Sequence, residues 1–140
     1  MFVVVDVNVI ISSLLNKGDS LNVFILNYMF NKFDFVIPEF FLIELNKHIS
    51  EIRRISKLLD EDIIRVADFI VRQVNNISQS EFEKFLPKAR EIAKEHPKDI
   101  PYIALSLKLN CPIFSGDKKL KAIYSENVLS PKEMLNKFYV

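Results

Sequence analysis

Strands that alternate with helices from one end of the chain to the other predict an α/β fold: a parallel sheet of four to five strands with helices on both faces. Three observations carry this. Short runs rich in Val, Ile and Phe recur along the 140 residues, separated by longer stretches with a helical apolar period. Prolines and polar turn residues mark the boundaries between them. No repeat, low-complexity tract or linker interrupts the series. Residues 1–140 are therefore read as one domain, long enough to bury roughly two-thirds of its unfolded surface.

The elements follow in order. Phe2 to Ile11 reads as the first strand, by length and β-branched content. Asn16-Lys17-Gly18-Asp19 breaks that pattern, and Ser20 can cap a helix from Leu21 to about Asn31. Phe33 to Ile37 is the second expected strand, stopped by Pro38, which also suits the first turn of a helix running to about Lys57. Asp60 to about Val74 has Ile63, Ala67, Ile70 and Val74 on one side, an amphipathic helix. Asn75 to Phe85 is ambiguous, with a short strand near Ile77 and then a turn. Pro87 opens a helix to about Glu95, and Asp99 or Ile100 opens another to about Leu109. Pro112 to Ser115 is a short buried strand, Lys118 to Tyr124 a helix, Asn127 to Leu129 a last strand, and Pro131 starts a terminal helix.

Composition narrows the chemistry. The net charge is +1, so a polyanion would have to be held by a local patch rather than by the field of the whole molecule. The only cysteine, Cys111, excludes an internal disulfide and a cysteine-cluster metal site, and its apolar surroundings suggest a small buried residue. Two glycines, Gly18 and Gly116, are too few for a glycine-rich phosphate cradle. No apolar run reaches the roughly 18 residues of a membrane span and no basic segment precedes the opening hydrophobics, which makes the cytoplasm the expected location.

Four carboxylates carry the functional signal: Asp6, Glu44, Asp99 and Asp117. Asp6 interrupts Phe2-Val3-Val4-Val5 before Val7, Val9, Ile10 and Ile11, and no Lys or Arg precedes Lys17. A buried carboxylate there costs several kcal/mol unless a positive group meets it, and a divalent cation is one such group. The competing reading is a strand-end residue bonded to the amides of a following turn. Asn8, two residues on, shares the face of Asp6 if the strand continues, to orient it or touch a phosphate; otherwise it begins the turn.

Glu44 lies about 60° from the centre of the apolar seam of Phe41, Leu45, His48 and Ile52, so it is a site candidate, with a one-turn pair to His48 as the competing role. Asp99 precedes Pro101 and suits a helix cap, yet shares a face with Ile103 and Leu107. Asp117 closes the turn Ser115-Gly116-Asp117 at the end of a strand, where parallel sheets place ligands, and Ser115 offers a hydroxyl there. Lys118, Lys119 and Lys121 beside it are either a solvated helix face or contacts to a nucleic-acid backbone. His48 reads as a core histidine and His96 as a loop residue, so zinc is disfavoured and a carboxylate site suits Mg²⁺ or Mn²⁺.

The order of these pieces resembles the PIN domain family. The resembling residues are Val3-Val4-Val5-Asp6-Val7-Asn8-Val9-Ile10, Ile43-Glu44-Leu45, Asp99-Ile100-Pro101-Tyr102-Ile103-Ala104-Leu105-Ser106, Ile113-Phe114-Ser115-Gly116-Asp117-Lys118-Lys119-Leu120 and Val128-Leu129-Ser130-Pro131-Lys132-Glu133. They span nearly the whole chain. The resemblance implies a three-layer α/β/α fold and Mg²⁺- or Mn²⁺-dependent cleavage of single-stranded RNA. Such nucleases are often the toxins of toxin–antitoxin pairs, so an antitoxin partner and a homodimer are implied as well. Asp6, Glu44, Asp99 and Asp117 would be the catalytic metal ligands, with Asn8 and Ser115 in support.

Two features of this chain differ from many members. Lys118 and Lys119 stand where a further acid is common, and Pro101 and Tyr102 stand in a helix otherwise built of small residues. The second is expected to touch only helix geometry. The first, with the near-zero net charge, leaves a second reading: a PIN-like module that binds RNA or protein and cuts nothing. A phosphotransfer protein is a third. A dehalogenase-like phosphatase wants a second Asp where Asn8 stands, and Lys118 follows Asp117 too closely for a receiver domain.

Overall fold

The computed structural model describes residues 1–16, 18–41, 43–45, 47, 48, 52 and 60–139. Five parallel strands form one sheet: β1 (Phe2–Val5), β2 (Asp34–Pro38), β3 (Val74–Ile77), β4 (Ile113–Phe114) and β5 (Val128–Leu129), in the order β3-β2-β1-β4-β5. β1 is central, with Val3 opposite Phe35 of β2 and Val5 opposite Phe114 of β4. Val3, Val4 and Val5 are wholly buried, as a strand covered on both faces requires.

The first strand is shorter than its apolar run suggests. It ends at Val5, and Val7–Leu15 is a helix, α1, capped by Asp6. Val7, Ile10 and Leu14 recur at helical spacing and are buried together, which outweighs the few tenths of a kcal/mol that β-branched residues cost a helix. Asp6 therefore stands at a strand-to-helix junction rather than within a strand, and Asn8 does not share its face as a strand neighbour.

The remaining elements lie close to expectation, with three differences. α2 (Asp19–Phe30) begins at Asp19, so Ser20 falls inside its first turn rather than capping it. Pro38 is the last residue of β2, pairs with Ile77 of β3, and is followed by a Glu39 amide that still donates to the Ile77 carbonyl at 3.0 Å; helical residues begin only at Phe41. The expected continuation of that helix to Lys57 falls on residues 53–59, outside the described residues. α3 (Asp60–Val71) stops short of Val74, which instead pairs with Phe35. The ambiguous stretch after it is edge strand β3, then α4 (Gln79–Phe82), a 3₁₀ turn and α5 (Leu86–Ala93). α6 (Ile100–Leu109), α7 (Lys118–Tyr124) and α8 (Pro131–Asn136) complete the chain.

Helices flank the sheet in two groups. α1 packs on α2 and α3, and α2 packs on α8; α5 packs on α6, which lies against β1, β2 and β4. Phe24 of α2 fills the space above the sheet, its ring centroid 5.3 Å from Phe35 and 5.8 Å from Phe114. Much of the phenylalanine content is thus core: Phe24, Phe35, Phe41, Phe82 and Phe114 are all fully buried. Among the described residues no single helix is long and apolar enough to cross a membrane.

Candidate active site

The chain leaves β1 toward β2 on one side and reaches β4 on the other, so the carboxyl ends of β1 and β4 flank the point where strand order reverses. Open parallel sheets form their ligand crevice there. Asp6 follows β1, and its amide donates to the Phe114 carbonyl at 3.1 Å, extending the ladder by one bond. Its side chain is 4% exposed. Oδ1 accepts from the Asn8 amide at 3.0 Å and Oδ2 from the Ser115 hydroxyl at 2.7 Å. The competing reading of Asp6, a residue bonded to an amide of the following turn, is thus present in the fold. It is also buried at the crevice, with no cationic side chain among the described residues to offset the burial, and that burial pushes its carboxyl above the usual carboxylate range.

Ser115 joins the two strand ends. While donating to Asp6, its hydroxyl oxygen accepts from the Asp117 amide at 3.0 Å. Asp117 in turn caps α7: Oδ1 accepts from Lys119 and Leu120 amides at 2.8 and 3.3 Å. Lys118 and Lys119 are exposed on that helix, whereas Lys121 is drawn to Glu133 and to the Val128 carbonyl.

Asp99 does not form the expected cap. Its backbone is helical (φ −84°, ψ −16°) and its side chain makes no capping bond. A capping carboxylate needs an extended backbone to reach back to the second or third amide. The Asp99 carboxyl is half-buried and raised to about 6, first by burial and then by Asp117 and Asp6, with His96 pulling the other way. Glu44, also half-buried, is raised by burial and then by Asp6; Lys98, His48 and Lys47 oppose this. Asp6 thus lies within electrostatic reach of the other three acids named from sequence, and Asp99 also of Asp117.

Tyr102 belongs to this site, and its role exceeds the helix geometry expected of it. Its buried hydroxyl accepts from the Val7 amide, the first of α1, at 3.2 Å, and its ring meets Phe40 edge-on with centroids 5.9 Å apart. Burial, followed by the nearby carboxylate of Asp6, holds the phenol proton on, well above the usual tyrosine range. The signal was its spacing: three residues after Asp99, it projects from the same side of the helix. Tyr102→Phe leaves the Val7 amide without an acceptor and is expected to cost about 1–3 kcal/mol in urea unfolding. A loss under about 0.5 kcal/mol would mean that the bond contributes nothing.

Among the described residues no three acidic, His or Cys side chains converge closely enough to enclose a metal ion outright. The donor chemistry nevertheless fits a hydrated hard cation. Every candidate ligand is a carboxylate, their ionised forms repel one another, Asp99 is uncommitted as a cap, and Mg²⁺ retains several waters between itself and its protein ligands. The raised carboxyls also fix a sign. Protonation of Asp99 in the folded state stabilises it fully below its ordinary value of 3.8, and that contribution is lost as pH rises through about 6. The melting temperature of the metal-free protein is therefore expected to fall between about pH 4 and pH 6, and millimolar Mg²⁺ to reverse the fall. A metal-free protein that gains stability across that window would contradict this.

Comparison with known proteins adds three findings. A family model described as PIN domain matches residues 4–127. Among solved structures, a chain in the crystal structure of VapBC2 from Rickettsia felis bound to a DNA fragment from their promoter superposes with a TM-score of 0.67. It is 15% identical, and the match covers 93% of this chain and 98% of that one. A comparison with curated proteins gives no match.

Proposed function

Because the chain belongs to the PIN domain family, we propose that it is a Mg²⁺- or Mn²⁺-dependent endoribonuclease acting on single-stranded RNA. The observation that carries this is Asp6: a carboxylate 4% exposed at the strand-order crevice, with no cation beside it among the described residues and three further acids within reach. Asp6 and Asp117 would hold one or two ions most directly, with Asp99 and Glu44 binding directly or through water. When bound, such an ion supplies a deprotonated water for attack on phosphorus and offsets charge on the phosphorane.

The chain's own residues prepare the site for that. Ser115 aims Asp6 and fixes the turn that carries Asp117. With Oδ1 of Asp117 spent on capping α7, Oδ2 would be the oxygen it offers a cation. Tyr102 pins the start of α1 to the start of α6, holding Asp6 and Asp99 at a set separation. The exposed Lys118 and Lys119 would meet the phosphates of a strand entering over α7. No side-chain nucleophile is required.

The same reading makes this chain the toxin of a toxin–antitoxin pair acting in the cytoplasm. The fold shared with a VapBC2 chain supports an antitoxin partner, and the exposed Tyr28, Met29 and Phe30 on α2 offer apolar surface to such a partner or to a second copy in a homodimer.

The test is incubation of end-labelled single-stranded RNA with Mg²⁺ or Mn²⁺, beside EDTA. Metal-dependent cutting supports the nuclease. RNA that is bound in EDTA and left intact with either metal would favour the binding module, the reading that the absence of a closed ligand set among the described residues also suggests.

A further inference from the structure

Beside the acid centre runs a cleft that the carboxylates do not use. Its inner part, a cavity of about 380 Å³, opens at Asp117 and Asn8 and runs between Val9 and Ser12 of α1 and Pro131 of α8. An outer part of about 290 Å³ shares Ser12, Ser20 and Pro131 with it and ends at Asp19 and Lys132. The two cavities adjoin at Ser12, Ser20 and Pro131, and the inner one, beside Asp117, is of a size that holds a small organic group.

Its polar groups are unspent. Among the described residues no hydrogen bond engages the Asn8 side-chain amide or the hydroxyls of Ser12 and Ser20, and none of these is a fully buried atom left without a partner. Ser13, by contrast, is bonded back to the Val9 carbonyl at 2.8 Å. Charge is confined to the ends: Asp117 at one, Asp19 and Lys132 offsetting each other at the other. Among the described lining residues the one cation is Lys132, at the far end, so the cleft favours a largely neutral group over a phosphate. Pro131 offers such a group an apolar surface, while Asn8, Ser12 and Ser20 can meet ribose or base edges. Single-stranded RNA presents its bases unstacked for pockets of this kind.

We propose that this cleft is the subsite for the nucleoside adjoining the scissile phosphate. The proposal rests on the ribonuclease reading above, and its test is chosen to fail separately. Ser12→Trp fills the cleft and leaves the four acids in place. It is expected to raise KM for an oligoribonucleotide about tenfold or more, with Mn²⁺ affinity and melting temperature unchanged. An unchanged KM would overturn the proposal, including the case in which the variant instead loses binding to a protein partner.

Should Ser12→Trp fail to fold, the unaltered protein is crosslinked in Ca²⁺ to an oligoribonucleotide carrying 4-thiouridine throughout. Adducts on the Val9–Ser12 segment or at Pro131 support the subsite, and adducts confined to other surfaces overturn it. Crosslinks in the cleft without any cleavage in Mg²⁺ or Mn²⁺ would keep the subsite and remove the nuclease. Cleavage with crosslinks elsewhere would do the reverse.

Discussion

Asp6→Asn is expected to lower the rate of RNA cleavage by about 10³-fold or more, about 4 kcal/mol of barrier, while raising the melting temperature of the metal-free protein. The two effects have one cause. Asparagine keeps the oxygen that accepts from the Asn8 amide at 3.0 Å, so the cap of α1 survives. Its amide nitrogen takes the place of the oxygen now 2.7 Å from Ser115. The serine oxygen, already accepting from the Asp117 amide, has a second lone pair with which to accept from it. What disappears is a charge buried without a cation. Its loss relieves the apo fold and removes the anion that would bind metal. Full activity in this variant would refute the assignment. Lost activity with a melting temperature several degrees lower would mean that Asp6 serves the fold alone. Circular dichroism melts and a gel assay on the same preparation distinguish these outcomes.

Ser115→Ala should be the most damaging substitution outside the acids. The change removes one oxygen and almost no volume from a position 2% exposed, so packing is not at stake. Among the described residues Asp6 loses its side-chain donor and the Asp117 amide loses its acceptor. Groups that orient metal ligands typically contribute 10- to 100-fold, and a loss of about that size is expected in the Mn²⁺ concentration needed for half-maximal activity. Ser115→Thr, which keeps the oxygen, is expected to restore most of it. If alanine and serine proteins share one metal requirement, the hydroxyl is a turn-forming group and nothing more. The loss should appear as a shift along the metal axis rather than as a lower rate at saturation, because the carboxylates themselves remain.

Much of this molecule was legible in its residue pattern. The β2 run, α6, α7 and the short β4 and β5 follow from β-branched clusters, helical spacing and flanking prolines, which are local signals. The errors share a physical origin. Val7, Val9, Ile10 and Ile11 have strand-forming side chains, and only the packing of α1 on α2 and α3 makes them helical. Asp99 has the composition of a cap, but its backbone angles, set by the 3₁₀ turn Pro97–Asp99 before it, withhold the carboxylate from that duty. Tyr102 has the spacing of an intrusion in a helix of small residues, and only the fold brings its hydroxyl to an amide 95 positions away.

By itself, then, the sequence determined the fold class, the succession of elements and the four acids worth watching, because burial periodicity and isolated buried charge are written residue by residue. The tertiary structure alone decided that Asp6 sits at a junction rather than within a strand and that one serine hydroxyl serves both Asp6 and Asp117. It also decided that a tyrosine ties α1 to α6 and that a neutral cleft lies between α1 and α8. Each of these depends on groups distant in the chain meeting within hydrogen-bond or van der Waals range, and chain spacing carries no record of that distance.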